Sequence, residues 1–127
     1  MEKFENKDWK MWIEDDIVYV KFLTGHYTDK MVDEGIKGRL SITKGKEYLM
    51  FSDISKLKSS TREARQRMSG RDGGKGIIAV AILSKSKVQE VIYNFFNLVY
   101  KAPAPAKMFT DQNKAIEWLK KIKKNNL

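Results

Sequence analysis

The most constraining feature of the sequence is a run of seven apolar residues without interruption, Ile77 to Leu83 (IIAVAIL). Such a run is typical of a strand buried on both faces, as strands are in a parallel sheet covered by helices. A second apolar run, Tyr48 to Phe51, lies inside another strand predicted over residues 47–52. The rest of the chain must therefore supply helices for both faces of a sheet.

Alternating strand and helix patterns meet that requirement. Further strands are predicted over residues 9–13, 17–23 and 107–109, the first two forming a hairpin around the acidic turn 14–16. Helices are predicted from Thr28 to about Lys44, from Ser60 to about Ser69, over residues 88–99, and after a cap at Thr110 or Asp111. The resulting order, β-β-α-β-α-β-α-β-α, predicts one α/β domain over residues 1–127. Its mixed sheet has five mostly parallel strands with an antiparallel edge strand, and four helices.

The composition excludes several chemistries. The 127 residues include no Cys and one His, which removes disulfides, thiolate ligands and Cys nucleophiles and argues against a His-based metal site or triad. The glycine-rich stretch from Gly70 to Gly76 lacks the spacing of a phosphate-binding loop, and no other catalytic signature is present. We therefore expect no catalytic residue, no metal and no cofactor.

Two further absences bear on location. No stretch approaches the roughly 20 apolar residues that span a bilayer. The amino terminus, MEKFENKDWK, also lacks the apolar core of a signal peptide. The sequence thus predicts a cytoplasmic protein without a transmembrane segment.

Charge is distributed unevenly along the chain. The 25 Lys and Arg residues exceed the 16 Asp and Glu residues by nine. Residues 1–55 contain 9 basic and 11 acidic residues, a net charge of −2, whereas residues 56–127 contain 16 and 5, a net charge of +11. This polarity is typical of attraction to an anionic partner, but a solubilising lysine-rich surface is the simpler explanation.

The second predicted helix carries the densest arginine cluster. Ser60 and Glu63 fit a capping box at its start. The candidate partner or anion contacts on and beside this helix are Lys58, Arg62, Arg65, Arg67 and Arg71. A solvated helix face explains them equally simply. Residues 56–75 contain no aromatic residue, so the cluster gives little support for a nucleic-acid partner.

The helix predicted over residues 88–99 has two aromatic faces. Phe95 and Phe96 fall on its core side, whereas Tyr93 and Tyr100 lie two turns apart on a different side. The two tyrosines are candidate contacts for a homodimer or for an apolar ligand groove. Ordinary packing is the simpler hypothesis for the phenylalanines.

Three segments resemble the anti-sigma-factor antagonist (STAS) domains, specifically the SpoIIAA-like group of small bacterial proteins. Residues 13–20 (IEDDIVYV) are similar to the opening hairpin of that family. Residues 45–54 (GKEYLMFSDI) resemble its strand that ends in Asp, and residues 109–119 (FTDQNKAIEWL) resemble its closing helix. The resemblance implies the same fold over nearly the whole chain.

The resemblance also implies a site. In regulatory STAS domains a phosphorylatable Ser lies at the start of the second helix, where Ser59, Ser60 and Thr61 stand in this sequence. A helix cap is the simpler role for Ser60. The leading interpretation is a non-catalytic regulatory domain that contacts an unknown protein partner through the second helix and the preceding loop. Two alternatives remain: an apolar, lipid-like ligand as in Sec14-type domains, and weak binding of nucleic acid or anionic membrane by the basic carboxyl-terminal portion.

Overall fold

The computed structural model describes residues 3–68, 76–85 and 105–125. These residues form eight strands and three helices. The strands are β1 (Lys3–Glu5), β2 (Trp9–Glu14), β3 (Ile17–Phe22), β4 (His26–Tyr27), β5 (Tyr48–Asp53), β6 (Ser59–Ser60), β7 (Ile77–Leu83) and β8 (Ala106–Phe109). The helices are α1 (Asp29–Thr43), α2 (Arg62–Met68) and α3 (Gln112–Asn125). The helix predicted over residues 88–99, with Tyr93 and Tyr100, lies outside the described residues.

The main sheet has six strands in the order β1-β2-β3-β5-β7-β8. The first three pair antiparallel, and β3, β5, β7 and β8 pair parallel, so the predicted mixed, mostly parallel sheet is confirmed. The predicted count of five strands is wrong, because β1 adds an antiparallel edge outside the hairpin. Three residues, KFE, are too short to produce an alternating pattern, so this strand has no recognisable sequence signal.

The hairpin turn matches the prediction. Glu14 pairs with Ile17, which leaves Asp15 and Asp16 as the two turn residues. Both have positive φ, at 53° and 62°. Two successive left-handed residues give a two-residue turn whose twist suits the flanking strands, and short polar side chains tolerate that conformation better than most.

Helix α1 begins and ends where the sequence places its caps. Thr28 Oγ1 accepts a hydrogen bond from the Met31 amide at 3.4 Å, and Lys44 closes the helix in the left-handed conformation at φ 54°. The middle of α1 approaches the sheet at two glycines. Gly35 lies against the Trp9 indole, and Gly38 lies against the Phe4 ring.

Each face of the sheet has its own core. On one face α1 and α2 cover alternate residues of β2 and β3, including Trp9, Met11 and Val20. On the other face α3 covers β5 and β7 through Ala115 and Leu119, which are both fully buried. Asp111 caps α3, as predicted, accepting from the Asn113 and Lys114 amides. No helix in the described part of the chain is long and apolar enough to cross a bilayer.

Candidate functional site

A second, two-stranded sheet fixes the loop in front of α2. His26 pairs with Ser59 and Tyr27 pairs with Ser60 in the parallel β4–β6 ladder. The Gly25 carbonyl accepts hydrogen bonds from the amides of Lys58 at 2.8 Å and Ser59 at 3.1 Å. These bonds join residues 58–60, which follow β5, to residues 25–27, which follow β3. The end of the loop in front of α2 is therefore a short strand.

The side chains of His26 and Ser59 meet on the exposed side of this ladder. Nδ1 of His26 lies 2.6 Å from Oγ of Ser59, and both residues are exposed. When Nδ1 carries no proton, it accepts from the serine hydroxyl. The sequence carries no signal for this pair, because its members are 33 residues apart and His26 belongs to no motif.

The three candidate hydroxyls occupy different environments. Thr61, which precedes α2, accepts a hydrogen bond from the Ala64 amide at 3.0 Å and is therefore the helix cap. The prediction that Ser60 caps this helix is wrong, because Ser60 pairs with Tyr27 in β6 and is half-buried. Ser59 is exposed at the start of β6. Ser-Thr pairs at a helix start leave the cap ambiguous by one residue in the sequence.

The structure describes part of the predicted basic cluster. Lys58 is exposed and lies immediately before β6, four residues ahead of the start of α2. Arg62 is exposed as the first residue of α2. Arg67 Nη1 lies 3.0 Å from Asp33 Oδ1 and links α2 to α1. Arg65 belongs to α2, and Arg71 lies outside the described residues.

One residue of the β4–β6 ladder, Tyr27, is buried in the core. Tyr27 packs against Phe22 with ring centroids 4.9 Å apart, and its hydroxyl is hydrogen-bonded to the Trp9 side chain. Burial raises the pKa of Tyr27 far above its ordinary value. Burial also lowers the pKa of Arg39. The electrostatic interaction with Tyr27 raises the pKa of Arg39 and partly offsets the effect of burial. The exposed His26–Ser59 pair therefore adjoins a strand residue that is packed into the core.

The chemistry of this surface is that of a hydroxyl next to an imidazole, with the exposed Lys58 and Arg62 close by in the chain. Within the described residues no group of three or more His, Asp or Glu side chains is arranged to hold a metal ion. A serine hydroxyl can accept a phosphoryl group, and Lys58 and Arg62 are the residue types that pair with a phosphate.

Comparisons with known proteins address the fold. Residues 11–123 match the model of a family described as "Domain of unknown function (DUF7793)". A crystal structure from Shewanella loihica PV-4, of an uncharacterized protein from the DUF3478 family with a SpoIIAA-like fold, is similar with a TM-score of 0.65. The similarity covers 87% of this chain and 91% of that chain at 23% identity. No curated protein matches. The predicted SpoIIAA-like fold is confirmed, and at this identity the similarity shows the fold alone.

Proposed function

Because the chain belongs to the DUF7793 family and has a SpoIIAA-like fold, we propose that it is a non-catalytic regulatory domain that binds a protein partner. The contact is made by the β4–β6 surface, which we define as the exposed side chains of His26, Lys58, Ser59 and Arg62. The chain acts as one domain in the cytoplasm.

The observation that carries this proposal is the β4–β6 ladder itself. A loop held by a strand pairing and by two amides on the Gly25 carbonyl has its backbone fixed before any partner arrives. Preorganisation of this kind lowers the entropy cost of binding. The surface is also polar and exposed, which suits reversible contact with a protein.

Regulation follows from the chemistry of Ser59. It is the exposed hydroxyl of the three candidates, because Thr61 caps α2 and Ser60 is half-buried. Phosphorylation of Ser59 would add a charge of about −1.5 to −2 between Lys58 and Arg62 in the chain, both of which are exposed. It would also replace the hydroxyl that meets His26 Nδ1. We therefore expect the unmodified and phosphorylated forms to present different surfaces to the partner.

The test is capture of the partner from native lysate by the full, tagged chain, with and without phosphatase treatment. We expect Arg62→Glu to reduce capture by about tenfold, the size of effect seen when a charged interface residue is reversed. Lys37→Glu, at an exposed position of α1, is the matched control and should capture normally. Equal capture by both folded variants, together with no response to phosphatase, would refute the proposal.

A further inference from the structure

The outer side of α3 is strongly basic. This helix carries one acidic residue, Glu117, and five lysines. Because Ala115 and Leu119 are buried against the sheet, the polar residues of α3 are directed outward. We define the lysine face as the exposed residues Lys107 of β8 and Lys114, Lys120, Lys121 and Lys124 of α3.

A fifth lysine of α3 shows how the helix is anchored. Lys123 Nζ lies 2.9 Å from Asp16 Oδ2, so the end of α3 is tied to the β2–β3 turn. Among the described residues, no acidic side chain forms an ion pair with the four α3 lysines of the lysine face. The four lysines therefore face solvent. The helix that carries them is capped by Asp111 at its start and joined to Asp16 near its end.

Two aromatic residues border the lysine face. Phe109 and Trp118 are half-buried, with ring centroids 5.7 Å apart. Lys114, Trp118 and Lys121 are spaced i, i+4 and i+7, so they share the flank of α3 that faces β8. Lys107 Nζ lies 5.4 Å from the centroid of the Phe109 ring and extends the basic surface onto the strand.

We propose that the lysine face docks peripherally on an anionic lipid bilayer. The five ammonium groups would face acidic headgroups, and Trp118 would lie at the level of the headgroups, where its amphipathic ring is favoured. The apolar side of α3 stays in the protein core, because Ala115 and Leu119 have no exposed surface. Binding is therefore electrostatic adsorption without insertion of the helix.

The geometry favours a bilayer over single-stranded nucleic acid. Nucleic-acid strands are held in a basic groove with open aromatic faces for stacking. Here the basic surface is the convex outside of a helix, and Phe109 is occupied by Lys107 and Trp118. An extended anionic plane can contact several residues of the lysine face at once. Each lysine near such a plane increases binding about fivefold, so Lys114 and Lys121 together contribute about 25-fold.

Vesicle sedimentation tests the proposal with the full chain. The probes are vesicles of phosphatidylcholine alone and vesicles with about 30 mol% phosphatidylserine. We expect binding to the second kind only, with loss as salt rises from about 0.1 M to about 0.5 M. The double variant Lys114→Glu/Lys121→Glu should bind at least about tenfold more weakly.

The matched control is Lys30→Glu/Lys37→Glu on α1, which covers the opposite face of the sheet. Each double variant lowers the formal net charge from +9 by two units per exchange, to +5. Equal loss in both would assign binding to net charge alone and overturn the proposal. So would absence of binding, or tighter binding of a labelled oligodeoxythymidine of about 20 nucleotides that the vesicles do not displace. Neither outcome bears on partner capture through the β4–β6 surface, because that surface contains no residue of β8 or α3.

Discussion

The Phe4 ring lies 2.7 Å from the position that a Cβ atom on Gly38 would occupy. Real Cβ atoms do not approach carbon so closely, so strand β1 can pack on α1 only because residue 38 has no side chain. The edge strand that extends the sheet to six strands therefore depends on one helix glycine, and substituting it tests that dependence.

Gly38→Ala should lower the free energy of unfolding by about 1–2 kcal/mol, because the overpacking against Phe4 outweighs the better helix propensity of Ala. In a Phe4→Ala background the same substitution should instead raise stability, by up to about 1 kcal/mol. Urea denaturation of the four proteins in this cycle measures both effects. A destabilisation that is the same in both backgrounds would show that Phe4 is not the obstacle.

The cap of α2 gives a second prediction. Thr61→Ala should cost about 1 kcal/mol, the usual effect of removing an N-cap hydroxyl, and Thr61→Ser should restore most of it. The direct readout is hydrogen exchange of the Ala64 amide, which donates to Thr61 Oγ1. We expect faster exchange in Thr61→Ala. Faster exchange in Ser60→Ala with no change in Thr61→Ala would return the cap to Ser60.

Sequence patterns identified the fold well wherever the pattern was local. The apolar run of β7, the start of α1 after Thr28 and the cap of α3 were all visible from residues within one turn or strand of each other. The pieces that were missed depend on distant contacts. Strand β1 pairs with β2 and packs Phe4 against Gly38, and no periodicity in three residues encodes those contacts.

The candidate site was predictable in position and not in detail. The resemblance to STAS domains pointed to residues 59–61, but the β4–β6 ladder joins segments more than 30 residues apart. Neither His26 nor the pairing of Arg67 with Asp33 could be derived from spacing, because each partner lies on a different element. Tertiary pairing therefore decides which hydroxyl caps α2 and which stays exposed.

The β2–β3 turn gives a third prediction. Asp15 adopts φ 53°, a conformation that costs a residue with a side chain about 1–2 kcal/mol relative to Gly. Asp15→Gly should therefore raise stability by about 0.5–1 kcal/mol after the larger unfolded-state entropy of Gly is counted. Asp15→Val, which is β-branched and disfavours positive φ, should lower it. Thermal unfolding of both variants gives the comparison, and a lower melting temperature for Asp15→Gly would contradict the strain argument.

The buried Tyr27 predicts the alkaline limit of stability. Its pKa is raised because burial disfavours the phenolate, so the folded protein retains this proton at a pH where the unfolded chain, with an ordinary value near 10.0, has lost it. A raised folded-state pKa means that the stabilisation is complete below pH 10 and declines above it, by up to about 1.4 kcal/mol per pH unit. Tyr19, whose pKa burial also raises, contributes in the same direction.

Tyr27→Phe separates the contribution of the Tyr27 hydrogen bond from the contribution of its ionisation. At neutral pH it should cost about 1–3 kcal/mol, because the Trp9 side chain loses its buried hydrogen-bond partner. Between pH 10 and pH 12 the free energy of unfolding of Tyr27→Phe should fall less steeply than that of the wild type. In Tyr19→Phe/Tyr27→Phe it should fall less steeply still. Urea denaturation at a series of pH values measures the slopes. Identical alkaline slopes in wild type and Tyr27→Phe would mean that Tyr27 ionises as readily in the folded protein as in the unfolded chain.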